Sequence, residues 1–242
     1  IFGGLTLNTT GGTVTLDAAR ANGGLAPRIE YGAVSVNSGA GAIDITETTT
    51  LNLGAITTTG GLTARSTTGG VVDSGAFNVN NALFVLSTAS ESVVIDNAGQ
   101  NIGIVNVQGG TNHSILVGSA STLGGSTSVT GNLTFASAAG VATTLGANSV
   151  TGNLTVNSGG TITVAGAVSV SGNLSLSSAD AGASSITDNL GSSIAVTNVA
   201  TLASSGNITL DSVGNDFNSV VLNGVTGNAQ IDDANNITVS GT

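Results

Sequence analysis

The chain has 242 residues, of which 37 are glycine and only one is proline, so it is neither collagen-like nor a proline-rich linker. Thirteen acidic residues against three basic ones give a net charge of −10, which argues against nucleic-acid binding and attraction to anionic membranes, since both need clustered Lys or Arg. Cysteine is absent, which excludes disulfides, thiolate metal sites and cysteine nucleophiles.

Aromatic residues make up only 2% of the chain although hydrophobic residues reach 40%. Any core must therefore be built from Val, Ile, Leu and Ala, and β-branched residues favour strands. Residues 5–16 and 34–45 each place two alternating apolar runs around a turn containing Asn and Gly, which is the pattern of half-buried strands. The segment between them, Ala18 to Tyr31, is the least β-like part, and we expect an excursion or an inter-subunit contact there. Runs from 51 to 117 remain short and β-like.

Three near-identical copies of one motif follow. Ser-Val-Thr-Gly-Asn-Leu-Thr-Phe at 128–135 returns in similar form at 149–156 and 169–176, so that the copies begin at Ser128, Ser149 and Ser169. One period consists of a strand, a Thr-Gly-Asn corner, a strand, an Asn-Ser-Gly-Gly corner, a strand and an Ala-Gly-Ala corner. Asn and Gly at these corners are expected to supply left-handed backbone positions. Weaker copies occur near the end of the chain, after a break in the period that predicts a loop insertion at 180–193.

The fixed period favours parallel stacking over antiparallel hairpins, which need no sequence period. Leu133, Leu154 and Leu174 share one phase of the repeat, as stacked coils require. We therefore predict an all-β fold, a parallel β-helix (β-solenoid) with three short strands per coil of about 20 residues. It forms a single domain over residues 1–242, with irregular coils at 1–127 and regular coils at 128–242. About twelve such coils would fit the length of the chain.

The second half of the chain resembles a known family. Ser212-Val-Gly-Asn-Asp-Phe-Asn218, the segments 220–222 and 231–239, and the Val-Thr-Gly-Asn-Leu-Thr-Val copies resemble the repeat regions of large secreted bacterial adhesins of the filamentous haemagglutinin type. The resemblance covers residues 128–242 closely and 1–127 in style. It implies a right-handed parallel β-helix, two-partner secretion or an autotransporter passenger, a place at the cell surface or outside it, and adhesion or fibre formation. The secretion region expected near the start of such proteins is not recognisable, so we expect an internal segment of a longer chain.

Acidic residues near the end of the chain are the first candidates for chemistry. Two carboxylates that cleave a polysaccharide must lie on one face, but Asp232 and Asp233 are adjacent and would point to opposite faces of a strand. We expect them at a coil corner. Asp211 and Asp216 flank a turn and could stack near Asp232 to bind calcium weakly. The solvated corner is favoured, because the Asp-rich nonapeptide spacing of calcium-binding β-rolls is missing.

The remaining candidates favour structural roles. His113 lies in a polar Gly-Gly-Thr-Asn-His-Ser stretch with no base or nucleophile near it in sequence, which predicts a surface histidine. The arginines are scattered along the chain. Asn132, Asn153 and Asn173 recur in phase, and we expect their side chains to hydrogen-bond along the stack as in an asparagine ladder.

The sequence thus predicts no catalytic, cofactor-binding or metal-binding residues and no cofactor. It favours an extracellular structural or adhesive rod, capable of polymerising end to end into a surface fibre, without catalysis. Its partners would be itself, through end-to-end or lateral assembly, or glycans or proteins on a host or neighbouring cell, with no nucleic acid and no membrane insertion. Two alternatives remain open. One is a carbohydrate-binding or carbohydrate-cleaving solenoid, and the other is a passive spacer for a binding domain elsewhere in the polypeptide.

Overall fold

The computed structural model describes residues 4–17, 31–87, 90–97, 99–179 and 186–241. Its regular elements are all β-strands, and 26 of them join in one sheet of parallel pairings. The described part of the chain contains no helix. The strands stack as a β-solenoid of about 9 turns with about 21 residues per turn. The predicted all-β parallel solenoid is therefore confirmed.

The strands are short in most coils, and a few run through a corner without a break. The first thirteen are β1 (Leu5–Asn8), β2 (Val14–Asp17), β3 (Val34–Gly39), β4 (Ile43–Glu47), β5 (Leu51–Thr58), β6 (Leu62–Ser66), β7 (Val71–Asp73), β8 (Phe77–Leu86), β9 (Val93–Ile95), β10 (Asn101–Gln108), β11 (Asn112–Val117), β12 (Ser121–Leu123) and β13 (Thr127–Val129). The other thirteen are β14 (Asn132–Ser137), β15 (Thr143–Leu145), β16 (Asn148–Val150), β17 (Leu154–Ser158), β18 (Ile162–Val164), β19 (Ala167–Val170), β20 (Leu174–Ser178), β21 (Ile186–Asp188), β22 (Ser193–Ser204), β23 (Ile208–Leu210), β24 (Asp216–Leu222), β25 (Ala229–Ile231) and β26 (Thr238–Gly241).

The regular coils have the predicted design of three strands. β14, β15 and β16 form the three sides of one coil, and β17, β18 and β19 pair with them in order in the next. The register follows the sequence repeat, because Leu133 pairs with Leu154 and Leu154 with Leu174. The expected in-phase stacking is therefore confirmed.

The predicted number of coils was too high, since about 9 turns are present instead of twelve. Dividing the length by the period assumes that every turn has the same length. Two turns are longer than the regular ones: Val14 pairs with Ile43 across the first, and Leu174 pairs with Ala200 across the second. Residues 18–30, which include most of the predicted excursion, lie outside the described part of the chain.

The interior is a thin column of Val, Ile and Leu side chains. Strands such as β17 and β20 alternate buried positions with half-buried or exposed ones, so each strand gives every second side chain to the core. Three phenylalanines, Phe77, Phe135 and Phe217, are fully buried and are the largest core side chains. Because no coil can bury its apolar face alone, each coil depends on the coils directly above and below it.

Glycines at the regular corners serve close packing, which differs from the predicted role. A Cβ atom on Gly152 would lie 2.5 Å from the carbonyl oxygen of Gly131 in the preceding coil. A Cβ atom on Gly172 would lie 2.4 Å from the carbonyl oxygen of Gly152. No described residue other than glycine has a positive φ, so the expected left-handed asparagines were wrong. The expected left-handed glycines are present in the turns of residues 5–16 and 34–45, where Gly12 has φ of 92° and Gly39 has φ of 59°. The corners need glycine because the coil backbones approach too closely for a side chain.

One outward column is uniform over five successive coils. The central residue of each short strand on this side is a half-buried threonine, and each pairs in register with the next: Thr122, Thr144, Thr163, Thr187 and Thr209. The surface of the rod on this side is therefore a line of hydroxyl groups about 4.8 Å apart.

The predicted loop at 180–193 is described only in part. Residues 180–185 lie outside the described residues, whereas Ile186–Asp188 forms β21 and pairs with β18 and β23. A tight turn follows, in which the N–H of Ser192 donates to the carbonyl of Asn189 at 2.9 Å. Gly191 in this turn has φ of 85°, a left-handed conformation that suits glycine.

Candidate functional site

A polar concavity lies near the C-terminal end of the described coils, on the side formed by β19, β22 and β24. It has a volume of about 330 Å³. We call it the polar groove, and it is lined by Ser169, Ala195, Val196, Thr197, Asp216, Asn218, Asn235 and Asn236.

A local irregularity in the sheet accompanies the groove. β22 passes through a corner as one continuous strand, and its register with β24 shifts between Val196 and Val199. Two residues of β22, Thr197 and Asn198, therefore oppose the single residue Asn218 of β24, which is the arrangement of a β-bulge. The upstream coils have a Thr-Gly-Asn or Ser-Gly-Asn corner at this place, whereas this coil has no glycine.

Hydrogen bonds hold two polar side chains of the groove, Asp216 and Asn235, in place. The Nδ2 of Asn235 donates to Oδ1 of Asp216 at 2.8 Å. Asp233 fixes the backbone beneath this pair, because its Oδ1 accepts from the N–H of Phe217 at 2.7 Å and its Oδ2 accepts from the N–H of Asn235 at 3.1 Å. The groove therefore presents a carboxylate and an amide whose relative position is set by the coil corner.

The acidic residues singled out in the sequence do not converge. Asp232 and Asp233 follow β25 and lie at a coil corner, as predicted. Asp216 lines the polar groove, and no other described Asp or Glu does so. Within the described ranges there is no group of three or more His, Cys, Asp and Glu residues that could hold a metal ion. The structure therefore does not bring Asp211, Asp216 and Asp232 together as the calcium alternative requires.

Asp73 organises a corner in the N-terminal half. Its carboxylate accepts from the N–H of Asp96 at 3.0 Å, from the N–H of Asn97 at 3.2 Å and from the Nε2 of Gln100. The Oε1 of Gln100 in turn accepts from the N–H of Phe77 at 2.6 Å. Burial raises the pKa of Asp73, and the two backbone N–H donors oppose that rise.

Asp188 forms the same arrangement at a different corner of the solenoid. Its carboxylate accepts from the N–H of Asp211 at 3.0 Å, from the N–H of Ser212 at 3.2 Å and from the Nδ2 of Asn215 at 2.7 Å. The Oδ1 of Asn215 accepts from the N–H of Ile194 at 2.9 Å. The three donors lie 23, 24 and 27 residues after the aspartate in both cases. We call these two networks the aspartate clamps, and both serve to join one coil to the next.

The asparagine ladder is present, with a different bonding pattern from the expected one. Oδ1 of Asn132 accepts from the backbone N–H of Asn153 at 2.9 Å, and Oδ1 of Asn153 accepts from the N–H of Asn173 at 2.8 Å. Only at the start of the ladder do two side chains bond directly, where the Nδ2 of Asn132 donates to Oδ1 of Asn112 at 2.8 Å. From Asn132 onward each asparagine of the ladder satisfies a backbone N–H of the following coil, and for Asn173 this is the N–H of Val199 at 3.3 Å.

The prediction of a surface histidine was wrong. His113 is only 3% exposed and pairs in register with Val93 and Leu133, so its ring occupies a core position. Its Nδ1 accepts from the N–H of Val93 at 2.9 Å, and its Nε2 lies 2.8 Å from the carbonyl oxygen of Gly109. Because Nδ1 is an acceptor, Nε2 carries the proton and the ring is neutral. Burial lowers the pKa of His113, and the Gly109 carbonyl opposes that shift.

Sequence reasoning missed the polar groove, although a signal for it was present. Asn-rich stretches at 215–218 and 235–236 lie one coil apart, and they replace the Ser and Thr that line the same side upstream. Of the three arginines, Arg65 is exposed on β6, whereas Arg20 and Arg28 lie outside the described residues.

Comparison with known proteins identifies a repeat family. Residues 40–108, 130–187 and 178–224 match the model of a family described as repeats of unknown function (DUF5649). The first match lies in the coils predicted to be irregular, so the family repeat is not confined to the regular half. No curated protein and no solved structure matches the chain in the same comparisons. Among the described residues there is no helix long and apolar enough to cross a membrane.

Proposed function

Since the matched segments cover more than half of its length, the chain belongs to this family of repeats, and from that premise we propose that it is part of an extracellular rod of a bacterial adhesin. In this role it acts through its shape and surface contacts and not through catalysis. The observation that carries the proposal is the continuous stack of coils, in which one parallel sheet extends through all 26 strands. Such a stack gives a rigid body that grows in one dimension with the number of repeats.

The polar side chains on the surface support a role in binding to other surfaces and not in catalysis. Outward positions carry Ser, Thr and Asn, as in the column that includes Thr144 and Thr163. The resemblance of residues 128–242 to secreted adhesins of the filamentous haemagglutinin type supports both the cell-surface location and adhesion. A net charge of −10 keeps such a rod soluble without a strong local field.

The test of location and adhesion uses intact cells of the source organism. Antibodies raised against the folded chain should label unpermeabilised cells, and immunogold electron microscopy should place the label on projecting material. Beads coated with the chain should adhere to a host or neighbouring cell more than beads coated with an acidic control protein of equal size do. Label confined to permeabilised cells would overturn the proposal.

Assembly into a fibre is a separate part of the proposal. The terminal strands of a β-solenoid have unpaired backbone groups that can join a further coil. Light scattering and electron microscopy of the purified chain should show end-to-end oligomers whose length rises with concentration. Strictly monomeric material would refute fibre formation, and the rod would then act as a spacer only. Deletion of the segment from the full polypeptide would then shorten its reach without loss of ligand affinity.

The second candidate function is carbohydrate binding, and the polar groove favours it. Cleavage would need a pair of carboxylates about 5–10 Å apart on one face. The described lining of the groove includes a single acidic residue, Asp216. We therefore carry forward binding, not cleavage, as the candidate for this groove.

A further inference from the structure

The polar groove offers groups that match a neutral, hydroxyl-rich ligand. Asp216 contributes a carboxylate that only accepts hydrogen bonds, whereas Asn218, Asn235 and Asn236 contribute amides that both donate and accept. Ser169 and Thr197, at the edges of the groove, add hydroxyl groups. A sugar hydroxyl also donates and accepts, so it needs this mixture of partners.

The same lining disfavours anions and strongly apolar ligands. None of the described residues that line the groove is Lys, Arg or His, so a phosphate, sulfate or carboxylate ligand would meet Asp216 without a compensating cation. Of the two apolar lining residues, Ala195 is half-buried, whereas Val196 is only 4% exposed and belongs to the core. The groove therefore offers little apolar surface and cannot enclose a large apolar group.

Two of the exposed polar side chains of the groove, Asp216 and Asn235, are held together before any ligand arrives. The bond from Asn235 to Asp216 fixes the carboxylate, and Asp233 fixes the backbone N–H groups of Phe217 and Asn235 below it. Preorganised side chains lose less conformational entropy on binding. The volume of about 330 Å³ is at the lower end of the range of roughly 300–1,000 Å³ for small-molecule sites.

We propose that the polar groove binds a neutral saccharide, a single sugar ring or the end of a short glycan, through Asp216, Asn235 and the neighbouring amides. The inference rests on the proposed adhesive rod and names the ligand class and the place where the rod would contact it. Asp216 accepts hydrogen bonds from adjacent hydroxyl groups of the sugar, and the amide of Asn218 or Asn236 bonds a further hydroxyl group. For so open a site the dissociation constant is expected to be on the order of 1 mM.

The experiment is a titration of the isotope-labelled 242-residue chain, followed by amide resonances in NMR. The probes are glucose, galactose, mannose and N-acetylglucosamine, together with lactose and cellobiose. At least one probe should produce saturable shifts confined to the amides of residues 195–198, 216–218 and 235–236. Asp216→Asn preserves the shape but removes the charge, and it should weaken binding about tenfold, because hydrogen bonds to a charged group are the stronger ones.

Asp44→Asn is the matched control. It makes the same change of charge on an exposed outward position of β4, far from the groove in sequence, and it should leave the titration unchanged. The proposed saccharide site is refuted if no probe shifts the amide resonances of the groove, or if Asp216→Asn binds the saccharide as tightly as the parent chain does. Saturable shifts with calcium chloride alone would overturn it as well. The cell-labelling experiment does not depend on the groove, so a failure here is distinguishable from a failure of the adhesive rod.

Discussion

Replacement of Gly152 by alanine tests the finding that the corners need glycine for close packing. The new Cβ atom would lie 2.5 Å from the carbonyl oxygen of Gly131 and 2.6 Å from its carbonyl carbon. Both contacts are with backbone atoms, which cannot rotate away as a flexible side chain could. The coil containing Gly152 must therefore move away from the coil below it.

The cost follows from two contributions. Overpacking in a dense interior costs about 1–3 kcal/mol. The displacement also weakens the bond from the N–H of Gly152 to the carbonyl of Gly131, 3.1 Å long, and the bond from the N–H of Gly172 to the carbonyl of Gly152, 3.0 Å long. At about 1 kcal/mol for each bond, and with only partial loss, the free energy of unfolding should fall by about 2–4 kcal/mol. For a chain of this size the melting temperature should fall by roughly 5–15 °C.

The assay is thermal and urea unfolding followed by circular dichroism, with Gly214→Ala as control. A Cβ atom on Gly214 would lie 3.2 Å from the Cβ of Ser193 and 3.5 Å from the carbonyl oxygen of Ser192, and φ of Gly214 is not positive. The free energy of unfolding of the control should lie within about 0.5 kcal/mol of that of the parent chain. Equal free energies of unfolding for the two variants would refute close packing as the reason for glycine at the corners.

Three further predictions follow from single side chains. Burial lowers the pKa of His113, so this residue contributes its full stability above about pH 6.5, and the contribution is lost as the pH falls from there towards the folded-state pKa. His113→Leu should abolish this contribution to the pH dependence of stability. Urea midpoints of both chains at about pH 7.5 and about pH 5 measure it. Leu154→Ala leaves a cavity between two stacked leucines and should cost about 2–5 kcal/mol by calorimetry, whereas the outward Thr155→Ala should cost less than about 1 kcal/mol. Asp188→Asn replaces one carboxylate oxygen with an NH2 group, so the donors that this oxygen accepted from, Ser212 N–H and Asn215 Nδ2, meet another donor. The cost of about 1–3 kcal/mol should appear with faster hydrogen exchange at the amide of Ser212, whereas Asp211→Asn should leave that amide protected.

The sequence repeat predicted the fold because, in a solenoid, residues one period apart pair with each other, so the period determines the register of the strands. Once Leu133, Leu154 and Leu174 share a phase, stacking them fixes which strands pair, and no tertiary information is needed. His113 could have been placed by the same rule. Asn112 precedes Asn132 by one repeat, which puts His113 in the phase of Leu133, but its polar neighbours favoured a loop.

The polar groove and the aspartate clamps could not be predicted from the sequence, and the reason is physical. Asp73 and Gln100 are 27 residues apart, and their bond depends on how far one corner overhangs the next. The groove lies beside a β-bulge at Thr197 and Asn198, and a single extra residue leaves no periodic trace. Features that depend on local departures from the repeat cannot be predicted from the repeat itself.

The dependence of each coil on the coils directly above and below it determines how the rod would respond to force. The ladder hydrogen bonds run along the axis, so tension applied to the two ends would load the outermost turn first. Release of one turn of about 21 residues shortens the stack by about 4.8 Å but frees roughly 70 Å of extended chain. A tether built in this way would lengthen turn by turn under load and rewind when the load falls, so that the attachment it carries is spared the full strain.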